Sequence, residues 1–117
     1  PVLPLENIEY FIELDMIGDN GNNIVCQSSE NGISGIELME SISSRSADPF
    51  ENFIRQELED YADHYPFGIK GVPAIYMEMN GDTNKNYHSP RDTFENFFSD
   101  NYDRIFNLVK GFVEGYK

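Results

Sequence analysis

The segment Ile8 to Ile17 constrains the fold more than any other stretch of the chain. Tyr10, Ile12, Leu14 and Met16 recur at a period of two, while Phe11 and Ile17 keep the opposite face partly apolar. That profile predicts a strand covered on both sides, as in a sheet with helices above and below. The segment stops at Gly18-Asp19-Asn20-Gly21, a strong turn cluster, and a shorter strand over Asn23 to Gln27 is expected next.

Three helices have legible starts. Ser34-Gly35-Ile36-Glu37 has capping-box spacing ahead of Ile36, Met39 and Ile42. Asp48-Pro49-Phe50-Glu51 puts an acceptor at the N-cap, Pro at N1 and Glu at N3. The stripe Phe50, Phe53, Ile54, Leu58, Tyr61 then continues at helical period. The last helix, about Asn101 to Tyr116, gathers Tyr102, Ile105, Leu108, Val109 and Phe112 on one face. Between the second and third, Val72 to Glu78 predicts a short strand after Gly71, with Pro73 at its start. The order β, β, α, α, β, α specifies an α/β fold, a partial and mostly parallel sheet flanked by helices. Three strands are few for a first strand buried on both sides. The remainder of the sheet is therefore expected N-terminal to residue 1 or from another chain.

Charge narrows the partners. Eight Lys and Arg against 21 Asp and Glu give a formal charge of −13, which argues against nucleic acid and anionic membrane surfaces. It suits a cation or a partner of opposite sign. No apolar run approaches the roughly 18–20 residues that span a bilayer. The 117 residues fit one ordinary domain, and the start Pro1 to Glu6 lacks the basic end of a secretory signal. The single Cys26 excludes an intramolecular disulfide and a cysteine-rich zinc cluster. There is no glycine-rich phosphate loop and no G-x-S-x-G elbow.

Ligand sites in open α/β sheets gather at the carboxyl ends of strands. Asp15 sits near the end of the first strand, read either as a buried acid held by backbone N–H groups or a lysine, or as a cation ligand. After Met79, a polar loop leads to Tyr87-His88-Ser89-Pro90-Arg91-Asp92-Thr93. Ser89, Pro90 and Asp92 read as a helix start, which leaves Tyr87 and His88 without a structural account. His88 is either an ordinary surface histidine or a metal ligand. Asp63-His64 falls at the end of the second expected helix. There the helix dipole stabilises a histidine, or Asp63 orients a group of a site.

Three pieces in order carry a resemblance. Phe11-Ile12-Glu13-Leu14-Asp15-Met16-Ile17-Gly18 comes first. Ala62-Asp63-His64-Tyr65-Pro66-Phe67, running on through Lys70-Gly71-Val72-Pro73-Ala74-Ile75, comes next, and Tyr87 to Thr93 last. Over about residues 8 to 115 the chain resembles the C-terminal half of the zinc aminopeptidases of metallopeptidase family twenty-eight. The resemblance implies that residues 1–117 are the C-terminal portion of a catalytic domain whose N-terminal part is absent from this chain. It implies Asp15 as carboxylate ligand of one zinc and His88 as imidazole ligand of the other. Tyr87 matches the tyrosine that holds the oxyanion. Asp63 and His64 fall in a supporting shell, with Ala62 where the family has Ser.

The implied reaction removes N-terminal residues from peptides by two-metal activation of water. The family's His-x-Asp and Glu-Glu pairs have no counterpart here, so the metal site is incomplete and the chain alone is expected to be inactive. Glutaminyl cyclases, acyltransferases of the same fold, share an Asp-His-x-Pro-Phe segment but place Trp before the metal-binding His, where this chain has Tyr87. A non-catalytic binding module is the third alternative. The partners expected are a peptide substrate, the missing N-terminal half of the domain, and a homodimer or swap through an exposed sheet edge. Exported bacterial relatives suggest an extracytoplasmic home.

Overall fold

The structure is a computed structural model that describes residues 3–81, 85–97 and 100–116. Four strands and three helices make up its regular frame: β1 Phe11–Asp15, β2 Asn23–Ser28, α1 Ile33–Ser44, β3 Asn52–Gln56, α2 His64–Gly68, β4 Ala74–Asn80 and α3 Tyr102–Gly115. The sheet runs β1-β4-β2-β3. β1 pairs parallel with β4 and β2 parallel with β3, while β2 and β4 run antiparallel. The expected α/β class with a mostly parallel sheet is what the chain forms.

Period-two alternation gives the sheet two unlike faces. Ile24 and Cys26 of β2, with Ile75, Met77 and Met79 of β4, point to one side and are fully buried. There they meet Ile36 and Met39 of α1 and Ile105, Leu108 and Phe112 of α3. Burying each such side chain contributes about 1.5–3 kcal/mol, so this face carries most of the hydrophobic stabilisation. Gly35 lets α1 lie close, since a Cβ there would stand 2.6 Å from Ile75 Cδ1 and 2.9 Å from the Tyr10 ring. On the other face stand Glu13 and Asp15 of β1, Gln27 of β2, and Tyr76 and Glu78 of β4, in register Glu13↔Tyr76↔Gln27 and Asp15↔Glu78. The five-residue α2 and the segment before it cover part of that polar face.

Several expectations are corrected. Residues 50–61 form no helix: Asn52–Gln56 is a fourth strand, paired to β2 from Asn23↔Asn52 to Gln27↔Gln56. The Asp48 carboxylate is engaged by Arg104 Nε at 3.2 Å instead of capping a helix, and Phe50 N–H donates to Ser43 Oγ at 3.0 Å. Helix propensities differ by only about 0.7 kcal/mol per residue, which a row of ladder hydrogen bonds overrides. α1 begins at Ile33 behind a 3-10 turn with Gly32 as N-cap, so Ser34 is inside the helix, where its hydroxyl meets Tyr10 OH at 3.2 Å. Ser89 caps no helix: Ser89 O accepts from Asp92 N–H in a turn, and the next helical residues are the 3-10 turn Phe94–Asn96.

β1 is an edge strand among the described residues, not a central one, and Leu14 and Asp15 are exposed. An open apolar groove of about 380 Å³ runs beside it, lined by Leu14, Ile17, Tyr102, Phe106, Val109 and Val113. The apolar residues of β1 that predict double coverage thus face α3 on one side and Phe67 of α2 on the other, where Phe11 stacks at 4.1 Å.

Arg104 joins the helical layer to the sheet. Its guanidinium donates to Asp48 O, Pro49 O, Asn22 Oδ1 and Asn101 Oδ1 at 2.7–3.2 Å and lies 4.0 Å over the Phe50 ring. Asn101 in turn donates from Nδ2 to Asp19 O and Gly21 O, which pins the turn after β1. Gly21 is required in that turn because a Cβ would run into the Asn80 backbone.

Candidate active site

β1 and β4 run parallel, so their carboxyl ends open at the same edge of the sheet. Asp15 ends β1, and the chain after β4 returns through Asn86, Tyr87 and His88. Asp15, Asp19, Asn86, Tyr87, His88 and Asp92 line one cavity of about 480 Å³. The structure thus brings together three of the residues singled out in the sequence, Asp15, Tyr87 and His88, from positions far apart in the chain. Asp15 is exposed there, so the burial cost of an isolated carboxylate does not arise at this position.

The backbone of the site is unusual. Among the described residues, Met16 at φ 49° and His88 at φ 53° are the non-glycine residues in the left-handed region, and both line this cavity. Such conformations cost of order 1–3 kcal/mol and collect at functional sites. The Tyr87 and His88 rings stack with centroids 3.7 Å apart. Phe97 lies directly on Gly18, and both line the cavity.

The other two residues singled out lie elsewhere. Asp63 is exposed at the N-cap of α2, makes no capping bond and lines neither this cavity nor the one beside it. His64 opens α2 rather than closing a helix and is fully buried under the polar face. Its backbone N–H donates to Glu13 Oε2 at 2.7 Å, and its Nδ1 stands 3.2 Å from the same oxygen. Its Nε2 is 3.0 Å from Gln27 Oε1, which also accepts from Glu59 N–H at 2.9 Å. Both ring nitrogens therefore face side-chain oxygens, one on each of two strands.

The network continues outward. Gln27 Nε2 donates to Tyr61 OH at 2.6 Å, and Tyr61 packs edge-on against Tyr76 at 5.7 Å. Tyr76 OH donates to Glu78 Oε2 at 2.6 Å. Burial first, and then this bond to Glu78, push the Tyr76 phenol far above its ordinary value, so it remains a donor. Burial likewise raises Tyr61, with the Tyr76 hydrogen bond opposing and the Glu78, Glu59 and Asp15 charges adding. Tyr61, Tyr76 and Glu78 open with Asp15, Met16 and Tyr87 onto a second cavity of about 390 Å³, which adjoins the first through the last three, shared residues. Sequence reasoning missed Gln27, Tyr61, Tyr76 and Glu78. Only β4 carries a signal for them, Tyr76, Glu78 and Asn80 alternating with the buried Ile75, Met77 and Met79, while Gln27 and Tyr61 have none in the sequence.

A family profile described as Peptidase family M28 matches residues 2–113, nearly the whole chain. The chain belongs to that family. No curated protein and no solved structure matches it. Membership in M28 makes this a chain of the peptidases, which are hydrolases, and peptidases of this family are generally zinc-dependent. The donor chemistry of the first cavity fits such a metal in part: carboxylate and imidazole are both zinc ligands. Among the described residues, however, no three His, Cys, Asp or Glu side chains are grouped so as to hold a metal on their own.

Proposed function

We propose that the chain is the C-terminal portion of a zinc-dependent aminopeptidase and contributes Asp15 and His88 to a two-zinc site, one ligand to each ion. The observation that supports this reading is the single cavity lined by both residues, in a chain of a peptidase family. On this reading the remaining ligands come from an N-terminal part bearing His-x-Asp and Glu-Glu pairs. On its own the chain does not turn over peptides.

Two zinc ions, when bound, supply an acidified water and polarise the scissile carbonyl. The residues of this chain do the rest of the positioning. The Tyr87 hydroxyl donates to the oxygen on which negative charge collects as the carbonyl carbon becomes tetrahedral. Asp15 and His88 fix where that carbon sits relative to the phenol. The buried His64, held between Glu13 of β1 and Gln27 of β2, ties those two strands together across β4.

The test is metal content together with turnover in the protein that carries the complete domain. Two zinc per chain are expected, with His88→Ala losing about one of them and most aminoacyl hydrolysis. Full zinc and full activity in His88→Ala would remove His88 from the site. Tyr87→Phe is expected to keep both metals and lose turnover by about 10²–10³-fold, the scale of one oxyanion donor.

A further inference from the structure

The second cavity is chemically one-sided. Asp15 and Glu78 are register partners across the parallel β1–β4 pair, so their side chains stand on the same face at the same depth. Tyr61, Tyr76 and Tyr87 supply three aromatic rings around them. Among the described residues no lysine or arginine lines the cavity, and none pairs with either carboxylate. Glu78 is half-buried, and the buried Tyr76 hydroxyl fixes its direction through a 2.6 Å hydrogen bond to one oxygen. A carboxylate oriented in this way, ringed by aromatic faces and beside a second carboxylate, is complementary to an ammonium or guanidinium group. The electrostatics agree, since the charges of Glu78 and Asp15 both add to the retention of the Tyr61 and Tyr76 protons.

Position matters as much as charge. The cavity shares Asp15 and Tyr87 with the one that holds His88, so a ligand with its reacting carbonyl in the first cavity can extend a side chain into the second. About 390 Å³ leaves room for one long side chain. We infer that this cavity receives the side chain of the residue to be removed and selects a cationic one, lysine or arginine, through the Glu78 carboxylate. The inference rests on the aminopeptidase reading for the role of the pocket, but its charge preference can be measured apart from hydrolysis.

Lysinamide and norleucinamide carry the same α-amine and amide and the same four side-chain carbons, and differ only by the ammonium that lysinamide bears on the last of them. Titrated into the metal-free chain with backbone amide shifts as readout, lysinamide is expected to move signals at residues 15–16, 61–62, 76–78 and 87. It is expected to bind about ten- to a hundredfold more tightly than norleucinamide, the range for one charge-assisted hydrogen bond in a partly desolvated pocket. Glu78→Gln keeps size and the Tyr76 contact, and is expected to abolish most of that difference. Equal binding of the two amides, binding of neither, or a preference that survives Glu78→Gln overturns the proposal.

In the protein with the complete domain, Glu78→Gln is expected to lower the ratio of kcat/KM for lysyl over leucyl substrates by the same factor. An equal loss on both substrates refutes a specificity role and assigns Glu78 to support of Asp15. Absence of hydrolysis with a retained lysinamide preference sinks the aminopeptidase reading while the cationic pocket stands. The two failures are thus distinguishable.

Discussion

Arg104→Ala tests whether the helical layer is fastened to the sheet at one point. The guanidinium donates to two backbone carbonyls and two side-chain amide oxygens from three stretches of chain and covers the Phe50 ring, with its side chain only 14% exposed. Hydrogen bonds to a charged group are worth about 1.5–3 kcal/mol each, and the ring contact about 1 kcal/mol. The sum is not the expected loss. Asn22, Asp48 and Pro49 are exposed and regain water when the arginine goes, so only the bond to Asn101 Oδ1 and the ring contact count in full. About 3–4 kcal/mol is the expectation, a shift in Tm of roughly 10–20 °C for a chain of this size. Urea unfolding followed by far-UV circular dichroism measures it, with an unchanged slope as the check that one transition is compared. Arg104→Lys keeps the charge but not the fork and is expected to recover less than half of the loss. A loss below about 1 kcal/mol in Arg104→Ala would refute the fastening argument and make Arg104 an ordinary surface cation.

Burial pushes the Cys26 thiol up to about 11, with Arg55 opposing in part. The unfolded thiol titrates near its ordinary value, so this contribution to stability is intact below about pH 8.5 and is lost as pH rises towards 11. The wild type is therefore expected to lose about 1–3 kcal/mol more than Cys26→Ala over that interval, measured by urea unfolding at stepped pH. Parallel slopes would remove the burial explanation. Gly21→Ala drives a methyl into the Asn80 backbone, which cannot step aside, and is expected to cost about 2–3 kcal/mol in thermal unfolding; a neutral result would mean the turn is looser than described. His64→Leu leaves the Glu13 carboxylate and Gln27 Oε1 without that donor and is expected to cost about 2–4 kcal/mol, with Glu13→Gln in the same background restoring part of it. An additive double variant would show that His64 and Glu13 are not coupled.

Much of the fold is legible because β2, β4 and α3 carry patterns that packing later uses. Ile105, Leu108 and Phe112 are spaced for a helix and are the residues α3 buries. The stretch after Asp48 misleads because Phe50, Phe53, Ile54 and Leu58 satisfy helical spacing by coincidence. Its fate is decided by β2, a partner some thirty residues away that local spacing does not register. Edge position also escapes the pattern: Phe11 and Ile12 look equally apolar whether a strand or open space lies beside them. At the site, Asp15, Tyr87 and His88 stand out through their motifs. Gln27, Tyr61 and Glu78 belong to no motif and become visible only when the sheet sets them on one face.

The two-sided sheet has a practical corollary for engineering. Its dry side sets whether the chain folds, and its wet side borders both cavities, with odd and even strand positions keeping the two duties apart. Glu78 can therefore be varied in a library, with the exposed Tyr61 alongside, while the fully buried Tyr76 and Ile75, Met77 and Met79 stay fixed. New ligand preferences become reachable there with little risk to the solidity of the scaffold, a freedom that a uniformly greasy sheet would not grant.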